Sequence, residues 1–148
     1  MSSRFSRWML GAVVLGAISL GNGMARAEGG LVGAVAGKPY ALTAAAVSGA
    51  KGQPVKAQVV IKPAAGYHMN EEFPTSLKLS PMQGVTYAKA QLSKADAAMS
   101  KSECRFDVVL TGAEAGKKTV TGNLSFAVCT ETTCDPQKAT VTIDLTVK

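Results

Sequence analysis

The sequence predicts an all-β protein, an immunoglobulin-like antiparallel β-sandwich of about seven to eight strands. Three observations support this fold. Apolar and polar residues alternate along several short runs, valine and threonine are concentrated in those runs, and turn-forming glycine and proline separate them. Period-2 alternation of this kind is the signature of half-buried strands. Because no helical segment connects the runs, two packed antiparallel sheets are the expected arrangement.

The first alternating runs cover residues 55–61, 75–80 and 85–90, and we expect each to form a strand with one apolar face. In the first run that face consists of Val55, Ala57, Val59 and Ile61. Segments rich in glycine and proline at 49–54 and 63–66 predict the turns on either side of this strand.

Three further strands are predicted toward the C-terminus, at residues 104–110, 120–128 and 139–147. The apolar face of the first consists of Cys104, Phe106, Val108 and Leu110. A loop is expected at 112–117, where glycines flank polar residues. Residues 92–103 lack an alternating pattern, so we expect a short helical turn or an ordered loop there.

The first 27 residues predict a secretory signal peptide. Arg4 and Arg7 precede an apolar run of 13 residues, which is too short to span a bilayer, and Ala25-Arg26-Ala27 has the form of a cleavage site. We therefore expect residues 28–37 to form a flexible lead-in rich in glycine and alanine. Residues 38–148 are then the immunoglobulin-like domain. This predicts a periplasmic protein whose mature chain is not inserted in the membrane.

The charge of the predicted mature chain is small. Three arginines and no acidic residue lie within the first 27 residues, so cleavage lowers the formal net charge from +6 to +3. The remaining lysines are scattered, without the basic stripe and interleaved aromatic residues that mark a nucleic-acid surface. No nucleic-acid partner is expected.

Two cysteines near the C-terminus, Cys129 and Cys134, carry the main functional question. They lie at the facing ends of two predicted strands, with Thr130-Glu131-Thr132-Thr133 between them. This spacing differs from the usual zinc-binding and thioredoxin-type C-x-x-C motifs. It fits two thiols held across the start of a β-hairpin, which in an exported protein form either a structural disulfide or an exchangeable one.

The chemistry around the pair favours a disulfide that a partner attacks. A bond that closes so short a loop stabilises a fold by only roughly 2 kcal/mol. Glu131 and Asp135 place negative charge beside the sulfurs, which disfavours a primed thiolate. A polar loop at the end of a sheet is within reach of a partner's thiolate. A disulfide kept for stability alone is an equal alternative on these grounds.

Two segments resemble a known family. The first consists of residues 124–129, the following Cys134-Asp135-Pro136 and the final alternating strand. The second is the upstream turn Gly66-Tyr67-His68-Met69-Asn70. Both are similar to the periplasmic N-terminal domain of the DsbD thiol:disulfide interchange proteins, over about residues 54–147. The resemblance implies an immunoglobulin-like domain whose redox pair, Cys129 and Cys134, relays electrons as a protein-disulfide reductase does, including in cytochrome c-type biogenesis.

The resemblance also implies partners and a cap. Family members join this domain to a membrane electron carrier and a thioredoxin-like domain. Here we expect periplasmic thioredoxin-like proteins or a membrane electron carrier to act in trans. The family's aromatic cap loop corresponds to residues 94–103, which contain Met99 but no aromatic residue. Met99 is the candidate cover for the disulfide, since thioethers pack well on sulfur.

Other polar and sulfur-containing residues have mainly structural interpretations. His68, the only histidine, is expected to be a turn residue rather than a metal ligand. Cys104 lies on an apolar face and predicts a buried, inert thiol, with a third redox cysteine that resolves the pair as the alternative. Glu71 and Glu72 are expected in a solvated turn, because adjacent strand residues face opposite ways.

Thiol–disulfide exchange by Cys129 and Cys134 is therefore the main prediction, and an oxidoreductase activity is implied by the resemblance alone. The alternative is a non-enzymatic binding or assembly β-sandwich with a structural disulfide. A periplasmic copper carrier that uses Met69, Met82 and Met99 with the cysteines is the third hypothesis. Exchange requires neither a cofactor nor a metal.

Overall fold

A computed structural model describes residues 37–148. The predicted signal peptide, residues 1–27, and nearly all of the predicted lead-in, residues 28–36, lie outside the described residues. The part of the chain that the structure covers contains no helix with the length and hydrophobicity needed to cross a bilayer. Its strands are β1 (Tyr40–Ala44), β2 (Val47–Gly49), β3 (Pro54–Pro63), β4 (His68–Met69), β5 (Ser76–Leu79), β6 (Val85–Tyr87), β7 (Gln91–Ser93), β8 (Ala97–Met99), β9 (Cys104–Gly112), β10 (Gly116–Cys129) and β11 (Cys134–Val147).

The strands form the two sheets of a sandwich. The first sheet has the order β1-β3-β9-β6, and β8 also pairs with β9. The second sheet has the order β2-β11-β10-β5-β7, and β4 also pairs with β10. Every pairing is antiparallel except the short parallel one between β2 and the end of β11. The predicted immunoglobulin-like β-sandwich is confirmed.

The core lies between the two sheets and is built from the alternating faces that the sequence predicted. In β9 the even-numbered residues from 104 to 112 are buried, whereas Arg105 and Asp107 on the other face are half-exposed. The buried aromatic pair is Tyr40 and Phe126, which meet edge to face with ring centroids 4.7 Å apart. Burial of one large apolar side chain stabilises a fold by about 1.5–3 kcal/mol, so these alternating faces hold the sheets together.

Residues 92–103 contain more strand than the sequence predicted. The segment includes the end of β7, a 3₁₀ turn at Lys94–Asp96, and β8. Asp96 stabilises the turn by accepting a hydrogen bond from Ser93 N–H at 2.8 Å. Its carboxylate also binds Lys89 Nζ at 2.6 Å, and the hydrogen bonds from Lys89 and Ser93 hold the pKa of Asp96 at about 2. Strands of three residues are too short to show an alternating pattern, which is why the prediction missed them.

The number and length of the strands also differ from the prediction. Five of the eleven described strands have only two or three residues, and they exist because a longer neighbour supplies backbone hydrogen bonds. In contrast, β10 and β11 each have 14 residues and extend into the predicted loop at 112–117 and back to Cys134. The backbone ladder of a hairpin continues through polar residues, because it does not depend on apolar side chains.

Candidate functional site

The disulfide between Cys129 and Cys134 closes the end of the β10–β11 hairpin. The two residues are directly opposite each other and form the last of 14 residue pairs in the ladder. In the connecting turn, Thr130 N–H donates to Thr133 O at 2.7 Å, and Thr133 N–H donates to the Thr130 hydroxyl at 3.1 Å. The predicted position of the pair on a hairpin is confirmed. Because the ladder is long, it sets the register without help from the disulfide.

The disulfide lies on the outer face of the second sheet. Phe126 and Val128 belong to the core between the sheets, so Cys129, one residue further along β10, faces the other way. Cys134 shares that outer face because residues directly opposite each other on neighbouring strands point to the same side. The sulfur pair is therefore turned away from the interior of the sandwich.

The two cysteines are unequally exposed. Cys129 is only 4% exposed, since β10 is paired there on both sides, with β11 and with β4, where His68 is its opposite residue. Cys134 is exposed at the start of β11, and no strand within residues 37–148 pairs with its other side. A molecule that arrives from solvent therefore reaches Cys134 before Cys129.

Asn70, which directly follows β4, contacts the pair through its side-chain amide. Its Nδ2 lies 3.7 Å from Cys134 Sγ, within the hydrogen-bonding range of sulfur. Its backbone N–H donates to Ala127 O at 2.9 Å, which keeps this part of the chain beside β10. Asn70 had no predicted functional role beyond its place in the Gly66–Asn70 segment. The available signal was its position before a polar turn, where asparagine commonly hydrogen-bonds the backbone that follows.

The segment expected to cap the pair, residues 94–103, supports β4 instead. Met99 is opposite Cys104 in the first sheet and packs against the core, whereas the disulfide lies on the outer face of the second sheet. Met99 therefore does not cover the disulfide. The backbone of the following turn contributes by another route, because Lys101 O accepts a hydrogen bond from Met69 N–H at 2.8 Å. This bond holds β4 next to the end of β10.

Cys104 is a buried free thiol in the first sheet. It is 0% exposed and faces the interior from the first sheet, opposite Ile61. The backbone of β10 lies between this interior and the disulfide. The predicted burial of this thiol is confirmed, while its inertness and its alternative role in resolving the pair stay predictions. Desolvation, with a smaller contribution from the charge of Glu103, raises the pKa of the Cys104 thiol to about 11.

The raised pKa of Cys104 predicts a loss of stability in alkali. The unfolded thiol ionises near its ordinary value of 9.0, while the folded thiol stays neutral up to about 11. The unfolded state therefore releases a proton first, and the free energy of unfolding should fall as pH rises from 9 to 11. Urea unfolding of wild type and Cys104→Ala at several pH values measures this. The stability difference between them should shift in favour of the variant above pH 9, and parallel pH profiles would contradict the prediction.

The methionines of the copper hypothesis do not gather into a site. Met69 is a core residue with 1% exposure. Met82 bridges to Val85 near the C-terminal end of β9, whereas Met99 pairs at its N-terminal end. A strand of that length spans about 25 Å, so the three methionines cannot share one ion. Among residues 37–148, no three His, Cys, Asp or Glu side chains are grouped closely enough to hold a metal ion.

Comparison with known proteins gives similarity in fold alone. No family model matches the chain, and no curated protein matches it in sequence. AggA, the major subunit of aggregative adherence fimbriae type I from Escherichia coli, is 13% identical over 74% of this chain and 95% of that chain, with a TM-score of 0.40. Murine CRIg is 13% identical over 74% of this chain and 98% of that chain, with a TM-score of 0.38. The CooA pilin subunit from enterotoxigenic Escherichia coli is 12% identical over 70% of this chain and 90% of that chain, with a TM-score of 0.25.

These similarities do not decide the function. Two of the three proteins are fimbrial or pilin subunits. With TM-scores below 0.5, however, they carry no argument about what this chain does. None of the three is a DsbD domain, and the resemblance to that family stays a prediction. The structure itself shows a β-sandwich with one disulfide on an outer face.

Proposed function

We propose that the protein is a thiol–disulfide exchange domain in which Cys129 and Cys134 form the redox pair. The observation that carries the proposal is their unequal exposure on the outer face of the second sheet, with Cys134 open and Cys129 covered. Exchange needs one sulfur that forms a mixed disulfide with the partner and a second sulfur that displaces the partner. The exposed Cys134 suits the first role and the covered Cys129 suits the second. The long hairpin ladder holds its register without the bond, so stability gives little reason for a disulfide there.

Reduction of the pair begins at Cys134. A thiolate of a reduced partner protein attacks Cys134 Sγ and forms a mixed disulfide, while the bond between the two cysteines breaks. Cys129 Sγ leaves as a thiolate and takes a proton from solvent. A second thiolate of the partner then attacks the partner's own sulfur and releases Cys134. The pair has gained two electrons and two protons, and the partner has gained a disulfide.

The reduced pair passes its electrons on in the reverse order. Cys134, as a thiolate, attacks a disulfide in a second protein and releases one thiolate of that protein. Cys129 then attacks Cys134 Sγ, expels the remaining thiolate and restores the original bond. This last step is intramolecular between directly opposite strand residues, so proximity accelerates it.

The expected partners are periplasmic thioredoxin-like proteins or a membrane electron carrier, as the resemblance to DsbD implies. A disulfide in the native protein fits an exported protein in an oxidising compartment. Tyr67, a large apolar residue with 39% exposure, immediately precedes His68, which is opposite Cys129. Its ring offers a partner an apolar contact close to the disulfide.

The reduction potential of the pair tests the proposal. We expect a value between roughly −120 and −270 mV, the range of known exchange proteins, after equilibration in glutathione buffers and trapping of free thiols. Buried Cys104 is the internal control, because it should remain a thiol at every buffer ratio. A potential below about −300 mV indicates a structural disulfide and would refute the exchange function.

A second candidate, a binding or assembly domain, is favoured by the open edge of β11. The parallel strand β2 pairs with β11 only at residues 145–147. Within the described residues, the outer edge from 134 to 144 has no partner strand. An edge of this kind accepts an added strand from another chain.

Sedimentation of the oxidised protein and of a Cys129→Ser/Cys134→Ser variant separates the two candidates. An assembly domain should form concentration-dependent oligomers in both proteins, since the edge of β11 remains when the disulfide is removed. An exchange domain should stay monomeric in both. Oligomers in both proteins, together with a potential below the exchange range, would favour the second candidate.

A further inference from the structure

The orientation of the Asn70 side chain is set by its own loop. Asn70 Oδ1 accepts hydrogen bonds from Glu72 N–H at 2.9 Å and Phe73 N–H at 3.1 Å. Both bonds require the oxygen on that side of the amide, so the NH₂ group must point the opposite way. That direction is toward Cys134 Sγ, 3.7 Å away. The amide therefore presents an N–H, and not a carbonyl, to the sulfur.

The amide also lies on the same side of the sheet as the disulfide. Asn70 is bonded through its backbone to Ala127 on β10, whereas Cys134 belongs to β11, on the far side of β10. To reach Cys134, the side chain crosses the outer face of β10. Among residues 37–148, it is the only hydrogen-bond donor to either sulfur of the pair.

We propose that Asn70 stabilises the thiolate of Cys134 by donating its Nδ2–H to Sγ in the reduced protein. This inference rests on the proposed exchange function, in which Cys134 is the sulfur that attacks a second protein. A thiolate is the reactive form of cysteine, and a hydrogen bond to the charged form favours that form. Asn70 is thus a catalytic residue that supports the nucleophile.

The charged residues of the neighbouring segments give such a donor a role. Acidic residues are close in sequence to both partners of this contact, Glu131 and Asp135 to Cys134 and Glu71 and Glu72 to Asn70, and negative charge disfavours a thiolate. On the other packed elements, His68 lies on β4 and the exposed Lys101 lies in the turn after β8. None of these side chains donates a hydrogen bond to Cys134 in the described structure. Within residues 37–148, the Asn70 amide is the hydrogen-bond donor available to a Cys134 thiolate.

Alkylation of Cys134 by iodoacetamide tests the inference. The reference protein is Cys104→Ala/Cys129→Ser, in which Cys134 is the only thiol. In this background Asn70→Asp keeps an oxygen that accepts the two loop bonds and replaces the donor with a charged acceptor. We expect the alkylation rate at pH 7 to fall by about tenfold or more. Raising the thiol pKa by one unit lowers the fraction of reactive thiolate about tenfold. At a pH where Cys134 is fully ionised, the rates should converge, whereas a change in accessibility would persist there.

Asn123→Asp is the matched control. Asn123 is an exposed asparagine on β10, six residues from Cys129, so the same charge is introduced about 20 Å from the sulfur. Its alkylation rate should equal that of the reference protein. Asn70→Ala removes the donor without adding charge and should slow alkylation several-fold at pH 7, in the same direction as Asn70→Asp.

Unchanged alkylation in both Asn70 variants would overturn the role of Asn70, as would equal slowing by Asn123→Asp. Neither result bears on the reduction potential of the wild-type pair, which tests the exchange function separately. Conversely, a potential below the exchange range would remove the function while the effect of Asn70 on Cys134 could still be measured. The two failures are therefore distinguishable.

Discussion

Replacing Cys129 with serine should trap a mixed disulfide at Cys134, whereas replacing Cys134 with serine should strongly slow adduct formation. With oxidised glutathione as the disulfide, the exposed thiolate of Cys134 attacks and acquires a glutathionyl group, and no second cysteine is left to expel it. In the reverse variant, the remaining thiol is that of Cys129, which is 4% exposed and flanked by β4 and β11. Its adduct should form at least about tenfold more slowly.

Intact-protein mass spectrometry over time measures both rates. Both variants are made with Cys104→Ala, so that a mass gain reports on one sulfur only. Each variant should keep the long β10–β11 ladder, and a circular dichroism spectrum that matches the wild-type spectrum checks that the fold is retained. Equal rates, or a faster reaction at Cys129, would contradict the assignment of Cys134 as the sulfur that meets the partner.

Replacing Phe126 with alanine should destabilise the domain by about 3–5 kcal/mol. Phe126 is 0% exposed, lies on the core face of β10 and contacts the ring of Tyr40 edge to face. Alanine removes this packing and leaves a cavity that the rigid sheets cannot close. Since domains of this kind are stable by only about 5–15 kcal/mol, the variant should lose a large fraction of its stability.

Urea unfolding of the oxidised protein measures this loss as a shift of the transition midpoint. Tyr67→Ala is the control, because it also deletes an aromatic ring, but one with 39% exposure at the surface. Its cost should stay below about 1 kcal/mol. Similar losses for both variants would contradict the placement of Phe126 in the core between the sheets.

Much of the fold was predictable because its information is local. The alternating residues of β3 and β9 define their buried faces without reference to a partner, since the side chains of any strand alternate between faces. The position of Cys129 and Cys134 on a hairpin was predictable for the same reason. Two alternating runs separated by a short polar segment favour antiparallel pairing, and the pairing places the cysteines opposite each other.

The short strands could not be predicted from the sequence, because their backbone hydrogen bonds are made to residues distant in the chain. β4 has two residues and is a strand only because β10 and the turn at Lys101 supply partners for its backbone. β8 likewise depends on β9. The prediction that Met99 covers the disulfide failed for a related reason, since the face that β8 presents to the core follows from its pairing and not from its sequence.

The sequence by itself determined the class of fold, the buried faces of the long strands and the hairpin that carries the cysteine pair, because each follows from periodicity and turn chemistry within a short stretch. Only the tertiary structure decided that Cys134 is open and Cys129 covered, that Cys104 lies on the other side of a sheet, and that Asn70 reaches the sulfur. Those features arise where β4, β10 and β11 meet, and contacts between segments distant in the chain are set by the packing of the whole sandwich.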